Sequence, residues 1–286
     1  MSLSAILYNI KVPHVLLDCS QQEIYSKLFN SISSLRKFNQ NIPVIVFVDS
    51  KIDFKSYNHL NKYNICDFND ITIIPFEYSY DRGQIFKWKN YIQCFKDFGY
   101  KNILCIENSS MFSRDPQQEF INLDSNENWS VKDYSIDGDS CESLFGFRGS
   151  RSEVLLLSKN SIDCLTDNFF SEVDSKVLDS QKIASKKLTK KEFYEWRFSA
   201  EKFSIESVFA KQTGKSFIEF PSDFVEVGDL SAKIDHKYSG CDFNSCVVCY
   251  SEESEYWVPS NLWTCTVKQR INPNHNICHY CCRMIQ

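Results

Sequence analysis

The chain has few residues that break regular structure: 8 Gly and 7 Pro in 286 residues. That scarcity excludes a collagen-like or low-complexity chain. There is no excess of positive charge either. Lys and Arg number 32 against 37 Asp and Glu, a net charge of -5. A nucleic-acid backbone or an anionic lipid surface is therefore a poor first expectation for a partner. No apolar run is long enough to cross a bilayer. The longest, Ile42 to Val48, contains Pro43 and falls far short of the roughly 20 residues a span requires. The opening residues, MSLSAILYNIKVPHVLLD, lack a basic segment followed by a sustained apolar one, so they do not read as a secretory leader. The expectation is a cytoplasmic protein with no membrane span.

What the chain does have is aromatic bulk and cysteine. The 23 Phe, 14 Tyr and 5 Trp suit a well-filled core. Of 13 Cys, seven fall late: Cys241, Cys246, Cys249, Cys265, Cys278, Cys281 and Cys282. In a reducing compartment a local cluster of this kind points to metal before disulfides. The composition shift near Gly240 predicts two parts, a domain over 1–240 and a Cys-rich tail over 241–286.

The first half alternates strand and helix patterns. His14 to Asp18 is an apolar run closing on an acid. A helical stretch follows from Ser20, with Ile24, Leu28, Ile32 and Leu35 on one face. Pro43 to Val48 is a β-branched strand ending at Asp49. Asp70 to Ile74 is a strand closed by Pro75, Gln84 to Phe98 a helix closed by Gly99, and Asn102 to Ile106 a buried strand. Later, Ser161 to Phe170 and Glu192 to Gln212 read as helices, and the lysine-rich stretch 180–191 as a solvated face or loop. Strands interleaved with helices predict an α/β fold with parallel pairing. Ligands in such sheets bind beyond the carboxyl ends of the strands, which singles out Asp18, Asp49 and Glu107.

Three segments, in order, resemble landmarks of the GT-A nucleotide-sugar glycosyltransferases, especially the family 8 type and related fungal mannosyltransferases. The first is IYSKLFNSISSLRKFNQNIPVIVFV, Ile24 to Val48. The second is FKWKNYIQCFKDFGYKNILCIENSSMFSRDPQQEF, Phe86 to Phe120, where those enzymes carry a cationic helix, a strand ending in Asp-x-Asp, and a following Asp-Pro. The third is AKIDHKYSG, Ala232 to Gly240, similar to a late His-x-x-Gly segment. The sequence departs from the pattern at the Asp-x-Asp, which is Glu107-Asn108-Ser109 here.

The resemblance implies a GT-A mixed sheet flanked by helices. It also implies a sugar nucleotide, a UDP-sugar, as donor, with an unidentified glycan, protein or small-molecule acceptor. A divalent cation, Mn or Mg, would counter the diphosphate leaving group. Glu107 and His236 are its candidate ligands, with Asn108 and Ser109 offering only an amide and a hydroxyl. Arg82, Lys87 or Lys89 could supply the positive charge instead. Asp18 and Asp49 are candidates for the nucleotide base or ribose, though helix capping explains them equally. The family 8 likeness leans towards retention at the anomeric carbon. Inversion would need a base carboxylate, for which Glu201 and Asp139 are candidates. In the tail, Cys246-x-x-Cys249 and Cys278-x-x-Cys281 have the arrangement of a structural zinc site. Against the transferase stands a degenerate domain used as a scaffold, favoured by the lost Asp-x-Asp.

Overall fold

The structure is a computed structural model. It describes residues 4–11, 18–52, 65–78, 83–108, 110–117, 126–132, 149–190, 200–221, 223–228 and 246–250, with isolated residues between them. The chain divides into two compact units. The first comprises Met1–Tyr78, Cys105–Leu123 and Pro221–Gln286; the second comprises Ser79–Leu104 and Asp124–Phe220.

In chain order the first unit holds β1 (Ser4–Ile10), α1 (Asp18–Phe38), β2 (Val44–Asp49), a 3-10 turn (Ile65–Asp67) and β3 (Ile71–Phe76). After β4 (Asn102–Ile106), which straddles the division, come β5 (Met111–Phe112), β9 (Val225–Gly228) and β10 (Val247–Tyr250). The second unit holds α2 (Gly83–Phe98), β6 (Trp129–Lys132), β7 (Ser150–Ser158), α3 (Lys159–Asp163), α4 (Phe169–Lys187), α5 (Ala200–Thr213) and β8 (Ile218–Glu219). The strands form a seven-stranded sheet ordered β3-β2-β1-β4-β7-β6-β8 and a three-stranded sheet ordered β5-β10-β9.

Every residue of β1 and of β2 is buried, as expected of parallel strands covered on both faces. Their register runs from Ile6 opposite Val44 to Ile10 opposite Val48, and β2 pairs β3 in parallel from Val44 opposite Ile71 to Asp49 opposite Phe76. Two expectations need correction. The first described strand is Ser4–Ile10, and Asp18, expected to close a strand, opens α1; residues 12–17 lie outside the described set. Pro75 does not close β3 but sits within it, opposite Val48. An edge strand tolerates proline because only one side of it carries ladder hydrogen bonds.

The helix α1 turns Tyr25, Leu28, Ile32 and Leu35 into the core. Near its end Arg36 is 3% exposed, and its guanidinium donates to the carbonyls of Ile42 (2.9 Å), Asn39 (3.1 Å) and Asn69 (2.6 Å). Those bonds tie the helix end to the loops entering β2 and β3, while burial pulls the Arg36 pKa below its usual range. The buried face of α2 includes Ile85, Trp88, Tyr91, Cys94 and Phe95. The indole of Trp88 sits 5.2 Å from the Phe209 ring and 6.0 Å from that of Phe169. Gly99 ends α2 at φ +66°, a left-handed conformation that glycine adopts without strain.

The expected helix over Ser161 to Phe170 is two helices. The short α3 is capped by the Ser158 hydroxyl, which accepts from the Ser161 amide. Asn128 underlies that cap, donating to the Ser161 hydroxyl (2.7 Å) and accepting from the Ser158 amide (3.0 Å). This buried polar anchor fixes the short helix, and α4 starts afresh at Phe169. The lysine-rich stretch forms the end of α4 as far as Lys187. Of the helix expected over Glu192 to Gln212, the described part is α5, Ala200–Thr213. Among the described residues no helix is long and apolar enough to cross a membrane.

Candidate functional site

Within the first unit the acids singled out at strand ends lie as follows. Asp49 ends β2 and is 0% exposed. One carboxylate oxygen accepts from the Lys51 amide (3.1 Å); the other has no hydrogen-bond partner among the described residues. A buried acceptor left open in this way costs on the order of 1–3 kcal/mol, so it marks a place where an incoming donor would be favoured. Asp18 begins α1. Glu107 follows β4 directly and is 5% exposed. In the strand order, β2 and β4 flank β1, so Asp49 ends one neighbour of β1 and Glu107 directly follows the other.

The turn after Glu107 is pinned from several directions. The Glu107 carbonyl accepts from the Ser110 amide (3.1 Å), and Ser110 is fully buried. The next residues form β5, whose Phe112 amide donates to the Ser34 hydroxyl (3.0 Å). Ser34 itself donates to the Ser31 carbonyl (2.6 Å), and the Ser31 hydroxyl pairs with that of Tyr8 in β1 (2.8 Å). The small serines of the SISSLRK phrase thus connect β1, α1 and the segment after Glu107. On the other side, the Ser113 amide donates to the Cys246 carbonyl (3.0 Å), and β10 pairs antiparallel with β5, Val247 opposite Phe112. The Asp115 carboxylate accepts from the Gln117 amide (2.9 Å) and the Asn39 side chain (3.0 Å). It caps the turn at Pro116, as its sequence context predicts. The serine contacts to β5 were missed in the sequence reading. Their signal was three serines, Ser31, Ser33 and Ser34, within about one helical turn.

Within the second unit, Lys87 on α2 is 5% exposed. Lys89 is exposed, its ammonium 5.2 Å from the Phe86 ring centre and 5.6 Å from that of Phe170. Glu201, a candidate base, accepts from the amides of Gln84 (2.8 Å) and Ile85 (3.4 Å). Its carboxylate therefore caps the N-terminus of α2 from another helix, where negative charge is favoured. Glu206, one and a half turns on, accepts from the Ser150 amide at the start of β7 through both oxygens (3.1 and 3.0 Å). A cavity of about 10 Å³ lined by Gln84, Trp88, Leu155, Lys202, Glu206 and Phe217 has room for a single water, not for a sugar.

Arg82, Ser109, Asp139, His236, Cys278 and Cys281 lie outside the described residues, as does the side chain of Cys249 in β10. Cys246 is 0% exposed, its sulfur 3.8 Å from the Arg114 carbonyl. Among the described residues no three His, Cys, Asp or Glu side chains could share an ion.

No protein-family model matches the chain, and no curated protein sequence matches it. Solved structures do. The chain has the fold of the GT-A glycosyltransferases. It is similar to the galactosyltransferase LgtC solved with donor and acceptor sugar analogues, at TM-score 0.55 and 11% identity over 91% of this chain and 90% of that one. Mouse xyloside xylosyltransferase 1 matches at TM-score 0.50 and 11% identity, over 90% of this chain and 99% of that one. The chain spans 57% of the Streptococcus pneumoniae glycosyltransferase GlyE, at TM-score 0.48 and 10% identity.

Proposed function

We propose that the chain is a glycosyltransferase that moves a sugar from a nucleotide sugar, a UDP-sugar on the resemblance of its sequence, to an acceptor hydroxyl. The observation that carries the reading is the turn at Glu107. It follows a fully buried strand in a GT-A fold, at the place of the eroded acidic motif, and is braced by α1 and β10. In the reaction the bond from the anomeric carbon to the diphosphate oxygen breaks. The acceptor oxygen bonds to that carbon and gives up its proton, and the nucleoside diphosphate leaves. Asp49 offers its open carboxylate oxygen to a hydroxyl or N–H of the nucleoside. By the sequence resemblance, Glu107 takes the diphosphate side and His236 is its companion ligand. A divalent cation bound there would counter the charge of the leaving diphosphate; on the sequence resemblance alone, Lys87 is the alternative source of positive charge. We also assign Cys246, Cys249, Cys278 and Cys281 to one structural zinc, on their spacing.

The test is a thermal-shift panel of nucleotide sugars with and without Mn, followed by donor hydrolysis and transfer with and without EDTA. A bound donor raises the melting temperature. Glu107→Ala should lower turnover on the order of a hundredfold. EDTA should do the same if a cation is involved, and Lys87→Ala if it is not. Nucleotide-sugar binding that is undetectable in every condition refutes the transferase reading. The loss of the second carboxylate at 109 favours one other reading, a donor-binding scaffold without turnover; a thermal shift with no hydrolysis or transfer selects it. About one zinc per chain is expected in protein purified under reducing conditions, and its absence removes the zinc assignment.

A further inference from the structure

The helix α4 has a buried face and an unusual exposed one. Phe169, Val173, Ser180 and Ala184 face inward, and Ala184 packs with Ala200 and Phe203 of α5. Outward, Leu178 is 59% exposed and Ile183 is 40% exposed. Among the described residues the other large exposed apolar side chain is Ile218. Around them Lys176, Lys182, Lys186, Lys187 and Lys190 are all exposed. Residues 175–190 hold those five lysines and one acid, Asp179, a net of +4 in a chain of net charge -5. Asp179 pairs with Lys182 (3.2 Å). That leaves most of the positive charge facing solvent.

Helical spacing sets these side chains in two adjacent rows. Leu178, Lys182 and Lys186 follow one another at i, i+4 and i+8; Asp179, Ile183 and Lys187 form the row beside it. Lysines in a last turn complement the helix dipole, which accounts for Lys186 and Lys187. It does not account for two aliphatic side chains held in water among them. A phosphodiester backbone would engage the lysines and leave Leu178 and Ile183 exposed. The interface of an anionic bilayer takes both kinds of group: aliphatic side chains enter the acyl boundary while ammonium groups stay with the headgroups.

We infer that the exposed face of α4 docks the protein peripherally on an anionic lipid surface. The docking is local and lies against the sign of the whole chain's charge. The inference is independent of the transferase reading.

The experiment is co-sedimentation of the full chain with phosphatidylcholine vesicles containing phosphatidylserine, against phosphatidylcholine alone, across a salt series. The chain should partition onto the anionic vesicles and lose them as salt rises. Each lysine near such a surface contributes about fivefold in partition. The combined variant Lys182→Gln, Lys186→Gln and Lys187→Gln should therefore bind about a hundredfold more weakly. Leu178→Ser with Ile183→Ser should weaken binding without changing the salt slope. All five positions are exposed, and unchanged circular dichroism confirms that the variants fold. No partition of the wild-type chain onto anionic vesicles at low salt overturns the inference, and so does undiminished binding by both variants. A DNA oligonucleotide that competes the chain off the vesicles, and binds it equally well with Leu178 and Ile183 replaced, overturns the choice of lipid.

Discussion

Ser34→Ala tests whether α1 braces the turn after Glu107. The Ser34 side chain is 1% exposed, and it is the partner of the Phe112 amide (3.0 Å). Alanine leaves that N–H buried and unpaired, at about 1–3 kcal/mol. The better helix propensity of alanine returns about 0.5 kcal/mol, for a net loss of about 0.5–2.5 kcal/mol. Urea unfolding reads this as a midpoint shift at constant slope. With a slope of about 3 kcal/mol/M the midpoint should fall by about 0.2–0.8 M. Its neighbour supplies the control. The Ser33 hydroxyl is buried with no hydrogen-bond partner among the described residues, so Ser33→Ala removes an unsatisfied group and should be neutral or stabilising. A Ser34→Ala midpoint at or above that of Ser33→Ala refutes the brace.

Gly149→Ala should destabilise by about 3 kcal/mol or fail to fold. A Cβ there would lie 2.1 Å from the ring of Phe203, itself 2% exposed; thermal melting is the measurement, and an unchanged melting temperature contradicts the packing. Glu201→Gln keeps an acceptor at the α2 N-terminus but loses its charge, so stability should drop by about 1 kcal/mol. If Glu201 caps α2 and does no proton transfer, turnover at saturating donor should stay within about threefold of wild type; a loss of several orders of magnitude would make it the base. The Cys94 thiol is pushed up to about 12, first by burial and then by the charge of Asp97, from an ordinary 9.0. Its protonated form is the one the fold favours, so its contribution is whole below about pH 9 and falls as pH rises towards 12. Urea midpoints should decline over that window in the wild-type chain and decline less in Cys94→Ala; parallel declines would exclude Cys94 as a source.

The fully buried strands were legible because parallel strands covered on both faces read as unbroken apolar runs, as at Val44 to Asp49 and Asn102 to Ile106. Boundaries were less so. Residues 14–17 have the same apolar character as the true first strand at Ser4, and periodicity over four residues does not separate them. Glu201 looked like a free carboxylate since nothing in its neighbourhood announces a partner 117 residues away. Cys246 looked like part of a separate tail on cysteine count alone, whereas residues 246–250 pair with β5 and β9 in the first unit. Pairing between distant segments leaves no local trace in the chain. For the same reason the sequence pointed to Glu107 and Asp49 but not to the serines that fix their surroundings.

The pairing of β10 with β5 also sets an order of events during synthesis. Phe112 leaves the ribosome long before Val247, its partner in the sheet. At about 5–20 residues per second the interval is on the order of ten seconds. During that time α1 and β1 are complete and can already hold the Phe112 amide through Ser34, but the Ser113 amide has no Cys246 carbonyl to meet. The nascent chain therefore presents β5 as a bare edge until its last described strand arrives. A ribosome-bound chain halted before Cys246 should show the Ser113 amide exchanging with solvent while Tyr8 and Ser31 are already protected.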